Sequence, residues 1–138
     1  MIADSLSFAV FNNLSEIPRV AVRVEQFCGQ KRISGKTVRR FNLALDEVLT
    51  NIISHGLKEG RHEIAVSVSF RDGNLTANVS DDGPAFDPLS APAPDIHAPI
   101  EERKIGGLGI HLLRTLVDAV EYRRADGRNH LTFRIRAV

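Results

Sequence analysis

The sequence predicts a two-layer α+β sandwich, in which about five strands form a sheet covered on one face by three helices. Three observations lead there. Segments near the start, the middle and the end of the chain alternate apolar and polar residues, which gives each strand a single apolar face. Three other segments carry apolar residues at helical spacing, the mark of a helix with one buried stripe. A chain of 138 residues, 43% hydrophobic and 25% charged, is long enough for a core of its own and reads as a single domain over residues 1–138. Strands with one apolar face need cover on that face alone, hence two layers.

The elements follow in order. "SLSFAVFNN" alternates Leu6, Phe8 and Val10 with smaller or polar residues and predicts the first strand. From Leu14 to about Lys31, Ile17, Val20, Ala21, Val24 and Phe27 make one stripe of a first helix, with Pro18 tolerated in its opening turn. Ser34 caps a second, longer helix marked by Val38, Phe41, Leu45, Val48, Leu49, Ile52 and Ile53, which ends near "HGLKEG". The period then changes to two. Ile64, Val66, Val68 and Phe70, followed by Leu75, Ala77 and Val79, flank "RDGN" and predict an antiparallel hairpin. "AVEYRR" and "HLTFRIR" flank "ADGRN" and predict another, with Leu131, Phe133 and Ile135 on one face.

Between the hairpins, residues 83–104 hold five of the six prolines and no useful periodicity. Structureless loops longer than about 15 residues are uncommon in compact domains and are usually functional or disordered. This one runs directly into "KIGGLGIHLLRTL", where three glycines in four residues stand at the entrance of the third helix.

Bulk charge excludes little but directs attention inward. Eighteen basic and seventeen acidic side chains are scattered along the chain for a net charge of +1, which gives no blanket attraction for nucleic acid. Cys28 is the only cysteine, so no intrachain disulfide or cysteine-cluster metal site can form, and a reducing compartment fits. The start "MIADSLSFAV" lacks a basic region followed by a sustained apolar run, and no later run reaches membrane-spanning length. A cytoplasmic protein without membrane or direct nucleic-acid contact is expected. His62, His97, His111 and His130 show no spacing typical of metal ligands.

Three short motifs carry chemistry. Glycine opposes helix formation by about 1 kcal/mol relative to alanine, so Gly106, Gly107 and Gly109 at a helix entrance need a reason. A tight connection is one. The other is a polyphosphate cradle, because a helix N-terminus offers unpaired N–H groups and partial positive charge, and glycine lets a phosphate reach the backbone. No G-x-x-x-x-G-K-[ST] occurs, so this is not a P-loop. In "LALDEVLTNIISHG", Glu47, Asn51 and His55 are spaced by four and align down one helical edge. That edge is either a solvated polar face or a site, with the Asn51 oxygen a Mg²⁺ ligand and Glu47 a base for an attacking hydroxyl. In "VSDDGPAFDP", Asp81 ends a strand: either the Asp-Gly turn simply closes it, or the carboxylate accepts a bond from an exocyclic amine while Gly83 admits a flat base.

Taken in order, "E-x-x-x-N-x-x-x-H-G" on a helix, "D-x-G-x-A" after a strand and "G-G-L-G-I" opening a helix resemble the sequence boxes of the GHKL ATPase superfamily. More narrowly, "DDGPAFDP", "GGLGIHLLRTLVDAVEY" and "DGRNHLTFRIR" resemble the bacterial anti-sigma factor serine kinases, over essentially residues 5–138. The resemblance implies a mixed, mostly antiparallel sheet backed by helices, and the cofactors ATP and Mg²⁺. It implies that Glu47 is the catalytic base, Asn51 the magnesium ligand and Asp81 the reader of the adenine amino group. Gly83 is then the point where the base approaches, and Gly106, Gly107, Leu108 and Gly109 shape the phosphate-binding turn. An ATP lid over about residues 84–105 would bring Arg103 and Lys104 to the phosphates, and Thr132 is a weaker candidate for a water-mediated adenine contact. Ala85 departs from the superfamily's glycine.

Such proteins phosphorylate a serine or threonine of a STAS-type antagonist and alternatively bind a sigma factor, and the resemblance leaves a homodimer open for this chain. The competing class is a module that holds ATP, or has lost it, and only switches protein partners. The catalytic domain of a histidine kinase is a third reading, disfavoured because no dimerisation helices or phosphoacceptor segment accompany these motifs.

Overall fold

The computed structural model describes residues 4–57, 60–90 and 107–137, with the backbone alone described for 107–111. The order is β1 (Ser5–Phe11), α1 (Ile17–Gln30), α2 (Gly35–Asn51), β2 (Glu63–Arg71), β3 (Asn74–Asp81), α3 (Gly107–Leu116), β4 (Ala119–Ala125) and β5 (Arg128–Arg136). The strands form one sheet in the order β1-β2-β3-β5-β4. Every pairing among the described residues is antiparallel, so the expected two-layer α+β sandwich carries its antiparallel character across the whole sheet.

Local chemistry sets the boundaries. The Ser34 hydroxyl accepts the Thr37 backbone N–H at 3.2 Å and caps α2 as expected. Asn13 accepts from the Ser15 amide and opens a short 3₁₀ turn, Leu14–Glu16, that leads into α1 with Pro18 in the first turn. At the two hairpin tips Asp72 and Gly73 take φ of 52° and 79°, and Asp126 and Gly127 take 55° and 73°. Two consecutive left-handed residues match the right-handed twist of the flanking strands, which is why Asp-Gly joins both hairpins.

The inward faces of β2, β3 and β5 supply Ile64, Val66, Val68, Leu75, Val79 and Leu131, all essentially inaccessible to water, beneath the stripes of α1 and α2. Phe41 of α2 meets Phe133 of β5 with ring centroids 5.1 Å apart, joining the layers at the centre. Arg23 lays its guanidinium 4.4 Å from the Phe8 ring and ties α1 to β1. The outer face of the sheet carries mostly polar and charged side chains, with Ser67, Asn78 and Thr132 in one row.

Two features position the site. First, α2 ends in a π-helical turn, Ile52–Gly56, closed by the Leu57 amide donating to the Ile52 carbonyl at 2.8 Å. Second, α3 packs along α2, and the Arg40 Nε–H donates to the Leu116 carbonyl while its Nη2 lies 3.8 Å from Asp118. The C-terminal end of α3 is thus held at the first half of α2. Ten residues at 1.5 Å each bring the start of α3 back by about 14 Å, alongside the half of α2 that bears Glu47 and Asn51.

Candidate nucleotide site

The sheet contributes its last inward-facing row. Asp81, Asn129 and Arg124 stand side by side on β3, β5 and β4, at the parity of the apolar residues Val79 and Leu131. A polar row at that parity is anomalous on packing grounds, and Asp81 and Asn129 are 3% and 6% exposed. The Asp81 Oδ1 accepts from the Gly83 amide at 2.9 Å and the Asn129 Nδ2 at 3.0 Å. Its Oδ2 has no hydrogen-bond partner among the described residues. A buried carboxylate with one oxygen saturated and the other open is built to accept one more donor.

Helix α2 meets this row through the turn that follows it. A Cβ added at Gly83 would stand 2.4 Å from the Leu57 Cδ2, and one added at Gly56 would stand 3.3 Å from the Phe86 ring. These approaches bring the end of α2 to the end of β3. Asn51, buried at 6% exposure, is the last residue of α2, and Glu47 lies one turn before it. The Glu47 carboxyl is held above its ordinary range, first by burial and then by the neighbouring charge of Asp46. It makes no hydrogen bond among the described residues, so its lone pairs are available to a proton. Gly107, Leu108 and Gly109 form the first turn of α3, whose leading N–H groups have no intrahelical acceptor.

The structure therefore brings together Glu47, Asn51, Asp81 and the start of α3 at one end of the domain. It does not bring in Thr132, which accepts from the Asn78 Nδ2 at 2.7 Å on the outer face of the sheet. Alternation along β5 puts Thr132 and Asp81 on opposite sides, so the adenine contact expected of Thr132 is corrected by period-two geometry. At Gly83 the missing Cβ makes room for Leu57, and the amide holds Asp81. His55 leaves the line of Glu47 and Asn51 because the π turn is wider than an α-helical one. Arg103, Lys104 and Gly106, with most of the expected lid, lie outside the described residues.

Asn129 was not among the candidates that the motifs pointed to. Its Oδ1 accepts from the Phe86 amide at 3.1 Å, the Tyr122 hydroxyl at 2.5 Å and the Arg124 Nη1 at 3.2 Å. Its Nδ2 donates to Asp81 and, at 2.8 Å, to the Pro84 carbonyl. The signal was present as an amide at the inward parity of "NHLTFRI".

These residues fit an adenine nucleotide with its metal. The open Asp81 oxygen suits an amino group. The described residues contain no cluster of three His, Cys, Asp or Glu side chains able to hold a metal, so Asn51 would act as a single oxygen ligand to an ion otherwise held by phosphate and water, the usual manner of Mg²⁺. Among the described residues no helix is long and apolar enough to cross a membrane.

Comparison with known proteins agrees with this geometry. The family described as the histidine kinase-like ATPase domain matches residues 11–135. The serine/threonine-protein kinase BtrW of Bordetella bronchiseptica is 37% identical over 97 residues, 67% of this chain and 68% of that protein. The serine-protein kinase RsbW of Bacillus cereus is 33% identical over 94 residues, 65% of this chain and 59% of that protein. A crystal structure of the RsbU and RsbW domains of a Mycobacterium tuberculosis protein superposes on 98% of this chain and 33% of its own, with a TM-score of 0.70 and 16% identity, a likeness of fold. With ordered motifs that converge at one end of an antiparallel sandwich and a family match across nearly its whole length, the chain belongs to the histidine kinase-like ATPase domains.

Proposed function

We propose that this chain is a protein serine/threonine kinase of the anti-sigma factor type, active in the cytoplasm with ATP and Mg²⁺. It transfers the γ-phosphoryl group to a hydroxyl of a STAS-type antagonist and holds a sigma factor in alternation. The observation that carries the proposal is the buried Asp81, open at Oδ2, at the same end of the domain as an unpaired Glu47 of raised pKa. The printed names of the relatives, serine and serine/threonine kinases, support it.

Phosphoryl transfer asks the protein for position and charge neutralisation more than for covalent chemistry. Asp81 orients the base, the first amides of α3 face phosphate, and Glu47 takes the hydroxyl proton of the acceptor serine. Burial helps that last role, because a carboxylate with a pKa moved toward neutrality is a stronger base at working pH, and general-base catalysis contributes about 10²- to 10⁴-fold. When bound, Mg²⁺ through Asn51 supplies the neutralisation of phosphate charge.

The alternative is a partner-switching module that binds nucleotide without turnover. Incubation with γ-labelled ATP and purified STAS proteins from the same genome separates the two: label moves to a partner serine for a kinase. Binding of ATP with no labelled partner favours the module.

A further inference from the structure

Asn129 sits where the base-recognising row of the sheet meets the first residues of the long loop. Its two amide hydrogens are both committed, one to the Asp81 Oδ1 and one to the Pro84 carbonyl. Its oxygen receives three donors, of which one, Arg124, is cationic and also donates to the Gly83 carbonyl at 2.7 Å. With three donors on one side and two acceptors on the other, the amide has only one satisfactory orientation. A cation on its oxygen polarises the group and strengthens its N–H bonds, so Arg124 reinforces the grip on Asp81.

The consequence falls on the free oxygen of Asp81. With Oδ1 saturated by Asn129 and Gly83, the carboxylate plane is fixed and Oδ2 is the one atom left to read a ligand. We propose that Asn129 is the positioning residue for adenine selectivity, acting through Asp81 to favour a 6-amino purine over a 6-oxo purine. This rests on the reading of Asp81 as the adenine-recognising carboxylate. A 6-oxo group turns a carbonyl toward the fixed carboxylate and is repelled, whereas a carboxylate free to rotate or take a proton loses that discrimination.

The test compares Mg-ATP with Mg-ITP, which differ at this position, by calorimetry on the full chain. The wild type binds ATP more tightly than ITP. Asn129→Asp keeps acceptors for Phe86, Tyr122 and Arg124 but sets a second carboxylate beside Asp81; Asn129→Leu removes every bond at similar volume. In both, ATP affinity falls by about tenfold or more, from loss of an oriented charged hydrogen bond, while ITP affinity stays within about twofold. A folded variant with the wild-type ATP-to-ITP ratio overturns the proposal, as does a parallel loss for both nucleotides, the mark of a merely structural residue. If neither variant folds, the native chain answers: the Asn129 side-chain NH₂ resonances shift on titration with ATP and not with ITP, and an unresponsive amide overturns it. A wild type that binds neither nucleotide, or both equally, overturns the parent reading of Asp81 instead.

Discussion

Leu57 lies so close over Gly83 that a methyl group on residue 83 would stand 2.4 Å from its Cδ2. This contact joins the end of α2 to the turn that holds Asp81, so the two halves of the site are spaced by apolar packing. Gly83→Ala must push Leu57 aside or bend the Asp81 turn. Overpacking of this kind costs about 1–3 kcal/mol. The expected result is a lower melting temperature and weaker ATP binding by calorimetry. Leu57→Ala in the Gly83→Ala background relieves the overlap and recovers part of the binding; no recovery would place the defect in the backbone of residue 83 itself.

Asn51 closes α2 as a buried amide beside the turn that reaches Gly83. Asn51→Ala is expected to abolish Mg²⁺-dependent ATP binding while the fold persists. Titrations with and without EDTA check this: the wild type loses affinity on chelation, whereas the variant is weak in both conditions.

Glu47→Gln keeps the shape of the side chain and removes the base. Phosphotransfer is expected to fall by about 10²- to 10⁴-fold with ATP affinity nearly unchanged. Because burial raises the Glu47 pKa, wild-type transfer should climb as pH passes above the ordinary carboxylate range and then level off. Equal rates in wild type and variant across that range would sink the assignment.

The same shift has a signed effect on stability. A carboxyl whose folded pKa is raised binds its proton more tightly when folded, so stability is greatest in acid and declines as pH rises from the unfolded value through the folded one. Glu47→Gln removes this decline. Urea melts should therefore find the variant more stable than wild type at neutral pH and no different below the ordinary carboxylate range.

Arg40 receives little from Asp118, since both side chains are well exposed and 3.8 Å apart, but its bond to the Leu116 carbonyl satisfies the C-terminal end of α3. Arg40→Ala is expected to cost about 1–2 kcal/mol in chemical denaturation. Asp118→Asn should cost less, since it leaves that bond in place.

Much of the fold was legible because period and punctuation agreed. Both Asp-Gly tips, the Ser34 cap and the alternation of β2, β3 and β5 follow from local chemistry that tertiary packing did not override. The site was legible only in part. Asp81, Glu47 and Asn51 announce themselves by residue type and spacing, but Thr132 was assigned without the parity of its strand, which puts it outside. Asn129 was missed for the converse reason: it lies inside the stretch "DGRNHLTFRIR" with no chemistry assigned to it, and what marks it out is its place opposite Asp81 across a pair of strands joined only by a long excursion of the chain. Leu57 as the reason for Gly83 was invisible as well, since two residues 26 positions apart meet only once the layers close.

The wide turn at Ile52–Gly56 makes chain length there as constrained as residue identity. Removing one residue would let the helix continue at regular pitch, with every hydrogen bond intact, yet it would swing Leu57 off its seat. A loop graft that ignores the phase is therefore expected to keep a regular helix while unseating Leu57 from Gly83 and loosening the turn that holds Asp81.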